Sequence, residues 1–136
     1  MSFNTTINND IENKIKVFLE EMTIREKIGQ TIMLEPCFLF DKLQSKHHFE
    51  SMTDPRFLDI MYSQYNIGSL LYGGVSRIGN DSAFDWANYI KTSNDYTKTT
   101  KLKIPMLYGA DAVHGVNFVK GSTIYSHNLG VTSTWN

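Results

Sequence analysis

The segment from residue 67 to residue 111 constrains the fold more than any other part of the chain. "IGSLLYGG" is a short apolar run, Ile67, Leu70, Leu71 and Tyr72, that ends on two glycines, as a buried strand entering a tight turn does. Ser82 then stands where a helix cap belongs, ahead of Ala83, Trp86, Ala87 and Ile90 on one helical face. The helical pattern fades through the polar "KTSNDYTKTTK", and a second strand-like run follows, "IPMLYGAD". Strand, helix and strand in that order predict the beginning of a parallel α/β sheet.

Two helices are expected ahead of this unit. Residues 1–9 are rich in Asn and Thr and are expected to be a disordered N-terminus, with one domain over 10–136. Asp10 can cap a first helix whose apolar residues, Ile11, Ile15, Phe18, Leu19 and Met22, fall on one face. Thr23 with Glu26 three positions later is a capping box, so a second helix starts near Ile24, with Ile28 and Ile32 recurring every fourth residue. Periodicity is lost from Pro36 to about Pro55, where "DKLQSKHHFESMTDP" reads as a surface excursion.

Composition narrows the function classes. With 41% hydrophobic and 20% charged residues the sequence falls among soluble globular chains, and no window reaches the length of a membrane span, so no membrane partner is expected. Thirteen Lys and Arg stand against 14 Asp and Glu without a basic cluster, which argues against nucleic acid. Cys37 is the single cysteine, so it has no internal disulfide partner and is expected to be a small buried residue rather than a nucleophile. No spacing suits a structural zinc site, and no metal or other cofactor is expected. The opening residues lack the basic and apolar regions of a signal peptide, which gives a cytoplasmic reading by default.

Ionisable residues gather after the second strand. Asp111 follows "IPMLYGA", and polar residues at the ends of parallel strands line the active-site face of α/β barrels. Its ionised carboxylate can accept several hydrogen bonds from neighbouring hydroxyls, which suits a sugar or polyol; an Asx-turn or helix cap explains the same position equally well. His114 reads as a base, a ligand or a ring satisfied by backbone, the last being favoured for a lone histidine. His127, in "YSHNLG", resembles a second strand end, again with a satisfied ring as the simpler account. His47 and His48 are adjacent, so their side chains point apart, and no metal site is expected there. The glycines of "YGGVSRIG", with Ser76 and Arg77, could approach an anion but lack the Lys-Ser/Thr ending of a phosphate loop; a strand-to-helix turn accounts for them.

Four stretches carry a family resemblance. "MTIREKIGQTIM", "NIGSLLYGG", "IPMLYGADAVHG" and "GSTIYSHNLGVTSTWN", in this order and at these spacings, resemble the N-terminal part of the glycoside hydrolase family 3 β-glucosidases. The resemblance implies an incomplete (β/α)8 TIM-type barrel holding the N-terminal helices and the first two or three strands. It also implies retaining hydrolysis of terminal β-D-glucosyl residues by the family, with a β-glucoside or gluco-oligosaccharide as the ligand. The Asp of "DAVHG", which binds glucose hydroxyls in that family, falls on Asp111, while His114, Gly115 and His127 match positions that shape the loop. The sequence departs from the family pattern at Val116 and Phe118, where His and Asn are common, and at Ser126, where Pro is frequent.

The family's nucleophile and acid/base motifs have no counterpart in the sequence, so no catalytic residue is assigned. Retaining hydrolysis needs two carboxyl groups about 5–5.5 Å apart, and a full barrel takes about 250 residues. The expectation is a truncated fragment, inactive alone, with an open sheet edge through which it can self-associate. Two alternatives stand beside it: a non-catalytic carbohydrate- or partner-binding module, and a truncated gene product without function. Members of the family are often secreted or lysosomal, which leaves localisation open.

Overall fold

A computed structural model describes residues 8–36, 53–71 and 81–135. Helix α1 (Asn9–Glu21) starts earlier than its sequence pattern predicts. Asn8, not Asp10, is its cap, because the Asn8 carboxamide oxygen accepts from the backbone N–H groups of Asp10 (3.1 Å) and Ile11 (3.4 Å). Asp10 then sits in the first turn, where a negative charge favours the helix N-terminus. Residues 1–7 of the expected disordered segment, and all of the excursion between Pro36 and Thr53, lie outside the described residues.

Helix α2 (Ile24–Thr31) carries the predicted capping box. Its buried residues are Glu26 and Gly29, while Ile24, Ile28 and Ile32 face outwards. The reason is a backbone crossing. A side chain on Gly29 would come within 2.2 Å of the Tyr65 carbonyl oxygen, and one on Gly68 within 2.3 Å of the Gln30 carbonyl. The Gly68 N–H donates to the Gly29 carbonyl at 3.1 Å, so the glycine face of α2, rather than its isoleucine face, turns inwards.

Strand β1 (Met33–Leu34) follows directly. Helix α3 (Pro55–Leu58) has Asp54 as cap and Pro at its first turn, and it widens into a π-helical stretch over Asp59–Gln64. Phe57, Leu58, Met61 and Tyr62 bury one face of this helix against the core. Strand β2 (Ser69–Leu71), helix α4 (Ala83–Thr97) and strand β3 (Leu107–Gly109) complete the expected strand-helix-strand unit. Ser82 and Asp85 form a second capping box. The buried face of α4 is Trp86, Tyr89, Ser93 and Thr97; Ala83 and Ala87 are exposed, because the two aromatic rings, not the alanines, fill the space over β2.

The sheet runs β1-β2-β3, all parallel. Leu34, Leu70 and Tyr108 form one row across it, facing α3 and α4. Leu70 is fully buried at the centre, which contributes about 2 kcal/mol of transfer free energy. The row Met33, Ser69 and Leu107 lies on the opposite face, where Leu107 is 72% exposed and Met33 is 52% exposed. Parallel sheets are ordinarily covered on both faces. Among the described residues, the second face is buried at its centre, at Ser69, and open at Met33 and Leu107 on either side. The architecture is thus a mixed α/β unit around a three-stranded parallel sheet.

Candidate functional site

Strand β3 delivers the chain to the carboxyl edge of the sheet. The Tyr108 ring goes into the core face, edge-on to Trp86 at 6.2 Å, and burial pushes its hydroxyl up to about 12. Gly109 passes close to the Met33 side chain: a methyl group there would lie 3.1 Å from the Met33 Cε. Ala110 and Asp111 then emerge exposed. No hydrogen bond to the Asp111 carboxylate is made among the described residues, so it serves there neither as an Asx-turn nor as a helix cap. Glu35 follows β1 by one position and leaves the sheet from the same edge, half-buried. Its signal in the sequence is an acid directly after the apolar "IML", the same pattern that marks Asp111.

The loop after Asp111 is closed by its own backbone. The Tyr125 N–H donates to the His114 carbonyl at 2.9 Å, and the His114 Nδ1 meets the Tyr125 carbonyl at 3.1 Å. A carbonyl can only accept, so that Nδ1 carries the proton. Gly115 has φ +72, and a side chain there would meet the Tyr125 ring at 2.8 Å; both the left-handed backbone and the ring contact call for glycine.

His127 lies beside His114, ring centroids 5.5 Å apart and nearly perpendicular. It is not a strand end. His127 is the cap of a short helix, α5 (Asn128–Thr132), its Nδ1 accepting from the Leu129 N–H at 3.4 Å. At Nδ1 the two rings play opposite parts, His114 donating and His127 accepting, each to a backbone group. The structure brings His114, Gly115 and His127 together around Tyr125, in one closed loop beyond Asp111.

Two further contacts anchor that loop to the core. Phe118 rests on Trp86 at a ring separation of 4.8 Å, and the Lys120 N–H donates to the Asp81 carbonyl at 2.6 Å. Phe118 and Val116, the departures from the family pattern, thus differ in role: Phe118 packs against the core, while Val116 is exposed. Cys37, His47, His48, Ser76 and Arg77 lie outside the described residues. Among the described residues no group of three or more His, Cys, Asp or Glu is arranged to hold a metal ion, and no helix is long and apolar enough to cross a membrane.

The class this geometry defines is an α/β unit with an acid at the carboxyl edge of a parallel sheet. In sequence the chain is similar to a lysosomal beta glucosidase of Dictyostelium discoideum, 31% identical over 133 aligned residues. That alignment takes in 87% of this chain and 14% of the glucosidase, so the chain spans about a seventh of its relative's length. No family model matches the chain. The relationship that stands is to a β-glucosidase.

Proposed function

We propose that this chain is the sugar-binding N-terminal portion of a family 3 glycoside hydrolase barrel, and that its 136 residues bind a terminal β-D-glucosyl unit without cleaving it. The observation that carries the reading is the exposed Asp111 carboxylate, two positions past β3 and unengaged by the described residues. An ionised carboxylate accepts from two adjacent hydroxyls at once, the pattern that a pyranose ring edge offers. The loop closed by His114, Gly115 and Tyr125 fixes the path of the chain beyond it, and His127 holds the far end. Two further observations support the barrel: the similarity to a β-glucosidase, and the sheet face left open at Met33 and Leu107 opposite α3 and α4.

Cleavage is another matter. A retaining glycosidase works with a nucleophile and an acid/base on opposite sides of the glycosidic bond. The family motifs that supply them have no counterpart among these residues, so the chain offers the sugar a binding carboxylate and no displacing pair. The test is incubation of the purified chain with an aryl β-glucoside, alongside equilibrium binding of the same compound. Binding that weakens in Asp111→Asn, with no release of the aryl group above buffer, supports the proposal. Release that disappears in Asp111→Asn overturns the statement about cleavage, and absence of binding in the wild-type chain overturns the statement about the sugar.

A further inference from the structure

Helix α1 is amphipathic, yet it buries none of its residues. Ile11, Ile15, Phe18 and Leu19 remain between 36% and 53% exposed. Ile15, Phe18, Leu19 and Met22 form one wall of an open apolar groove of about 620 Å³, with α2 and Ile104 on the other side. An isolated helix of this length is marginal in water, so its formation calls for a partner to the apolar face.

The spacing within α1 indicates what that partner is. Ile11, Ile15, Phe18 and Met22 repeat as the d, a, d and a positions of a heptad. Lys14 and Glu21 then occupy successive g positions, and Glu12 and Leu19 the e positions. When two copies of such a helix pack antiparallel about a two-fold axis, g faces g. Ile15 then meets the partner's Phe18 and Lys14 meets the partner's Glu21, each contact occurring twice, while Met22, 7% exposed within its own chain, floors the groove. Parallel packing would set Lys14 against the partner's Leu19 and form no ion pair. Charge along the groove agrees. Lys14 and Lys27 line it, while α1 itself carries four acids, Asp10, Glu12, Glu20 and Glu21, against Lys14 and Lys16.

We propose that the groove between α1 and α2 is the seat of α1 from a second copy of this chain, packed antiparallel, so that the protein forms a two-fold dimer through its N-terminal helix. Sedimentation equilibrium of the full chain from micromolar to millimolar concentration tests it. The expected result is a mass that rises from 15.6 kDa toward twice that value. Lys14→Glu and Glu21→Lys should each weaken association by about five-fold, through loss of two pairs and gain of two repulsions, and the double exchange should restore it. Ile15→Asp should abolish it. Because α1 buries nothing within its own chain, circular dichroism of these variants should keep the signal of the α3-α4 core.

Three outcomes overturn the proposal. One is a chain that stays monomeric throughout. Another is a dimer indifferent to all four variants, which has paired elsewhere, as along the β1 or β3 edge. The third is a monomer whose groove takes up the apolar anion 8-anilinonaphthalene-1-sulfonate, with the signal lost in Ile15→Asp, which makes a small amphiphile the occupant.

Discussion

Glu26 and Lys101, 75 positions apart in the chain, form an ion pair 2.6 Å long. The same carboxylate closes the capping box at the start of α2, its other oxygen accepting from the Thr23 N–H at 2.8 Å and the Thr23 hydroxyl at 2.9 Å. One side chain therefore caps a helix and ties it to the segment that leads into β3. The segment that leads into β3 is thereby tied to the N-terminal helices.

The pH dependence of folding should report that link. The hydrogen bond from Lys101, followed by those from Thr23, holds the Glu26 carboxyl at about 2 against an ordinary 4.5. A carboxyl whose folded value lies below its unfolded value stabilises the fold fully above the unfolded value and ceases to do so as pH falls toward the folded one. Glu26→Gln should therefore melt below the wild type at pH 7, with the gap closing between about pH 5 and pH 2. Thermal melts of both proteins across that range check it.

The glycine crossing of α2 over residues 65–68 gives a second expectation. Gly68→Ala places a methyl group 2.3 Å from a backbone oxygen, and Gly29→Ala one at 2.2 Å, where neither neighbour can rotate away. Each should cost about 2 kcal/mol or more in urea unfolding. Gly130→Ala, whose nearest neighbour would lie 3.8 Å off, should fall within about 0.5 kcal/mol of the wild type.

Phe118 is one of the contacts through which the Asp111 loop meets the core. Phe118→Ala removes a half-buried ring from the face of Trp86 and should destabilise the fold by about 1–2 kcal/mol, less than a fully buried ring would. The change should also shift Trp86 emission and loosen residues 110–127, which hydrogen exchange of the Tyr125 amide would register. Unchanged exchange at that amide would mean that the His114–Tyr125 bonds hold the loop without help from the core.

Much of this arrangement was legible in the sequence because it rests on local chemistry. The capping box at Thr23, the helix cap at Ser82, the strand-like run around Leu70 and the one ending at Tyr108 all depend on neighbours a few positions away. What was misread depends on distant ones. The isoleucine stripe of α2 looked like a core face, but the crossing strand requires glycine, and that requirement turned the helix. Ala87 looked buried and Ser93 did not; the size of Trp86 and Tyr89 rotated the face the other way. Asp54 and Pro55 read equally as the end of a loop or as a cap and first-turn proline, and only the burial of Phe57 and Leu58 selects the helix.

At the site, the position of Asp111 after a strand could be read directly, while its loop partners could not. Nothing in "YSHN" signals that His127 caps a helix, or that its ring faces His114 from 13 positions away. Those contacts arise only when Tyr125 closes back on His114.

The most direct test of the sugar-binding reading is a titration of the isotope-labelled chain with glucose, followed through its amide resonances. The account predicts saturable shifts at millimolar sugar, centred on residues 110–115 and lost in Asp111→Asn while the rest of the spectrum stays in place. Shifts that persist in Asp111→Asn, or a wild-type spectrum that glucose leaves unmoved, would contradict it.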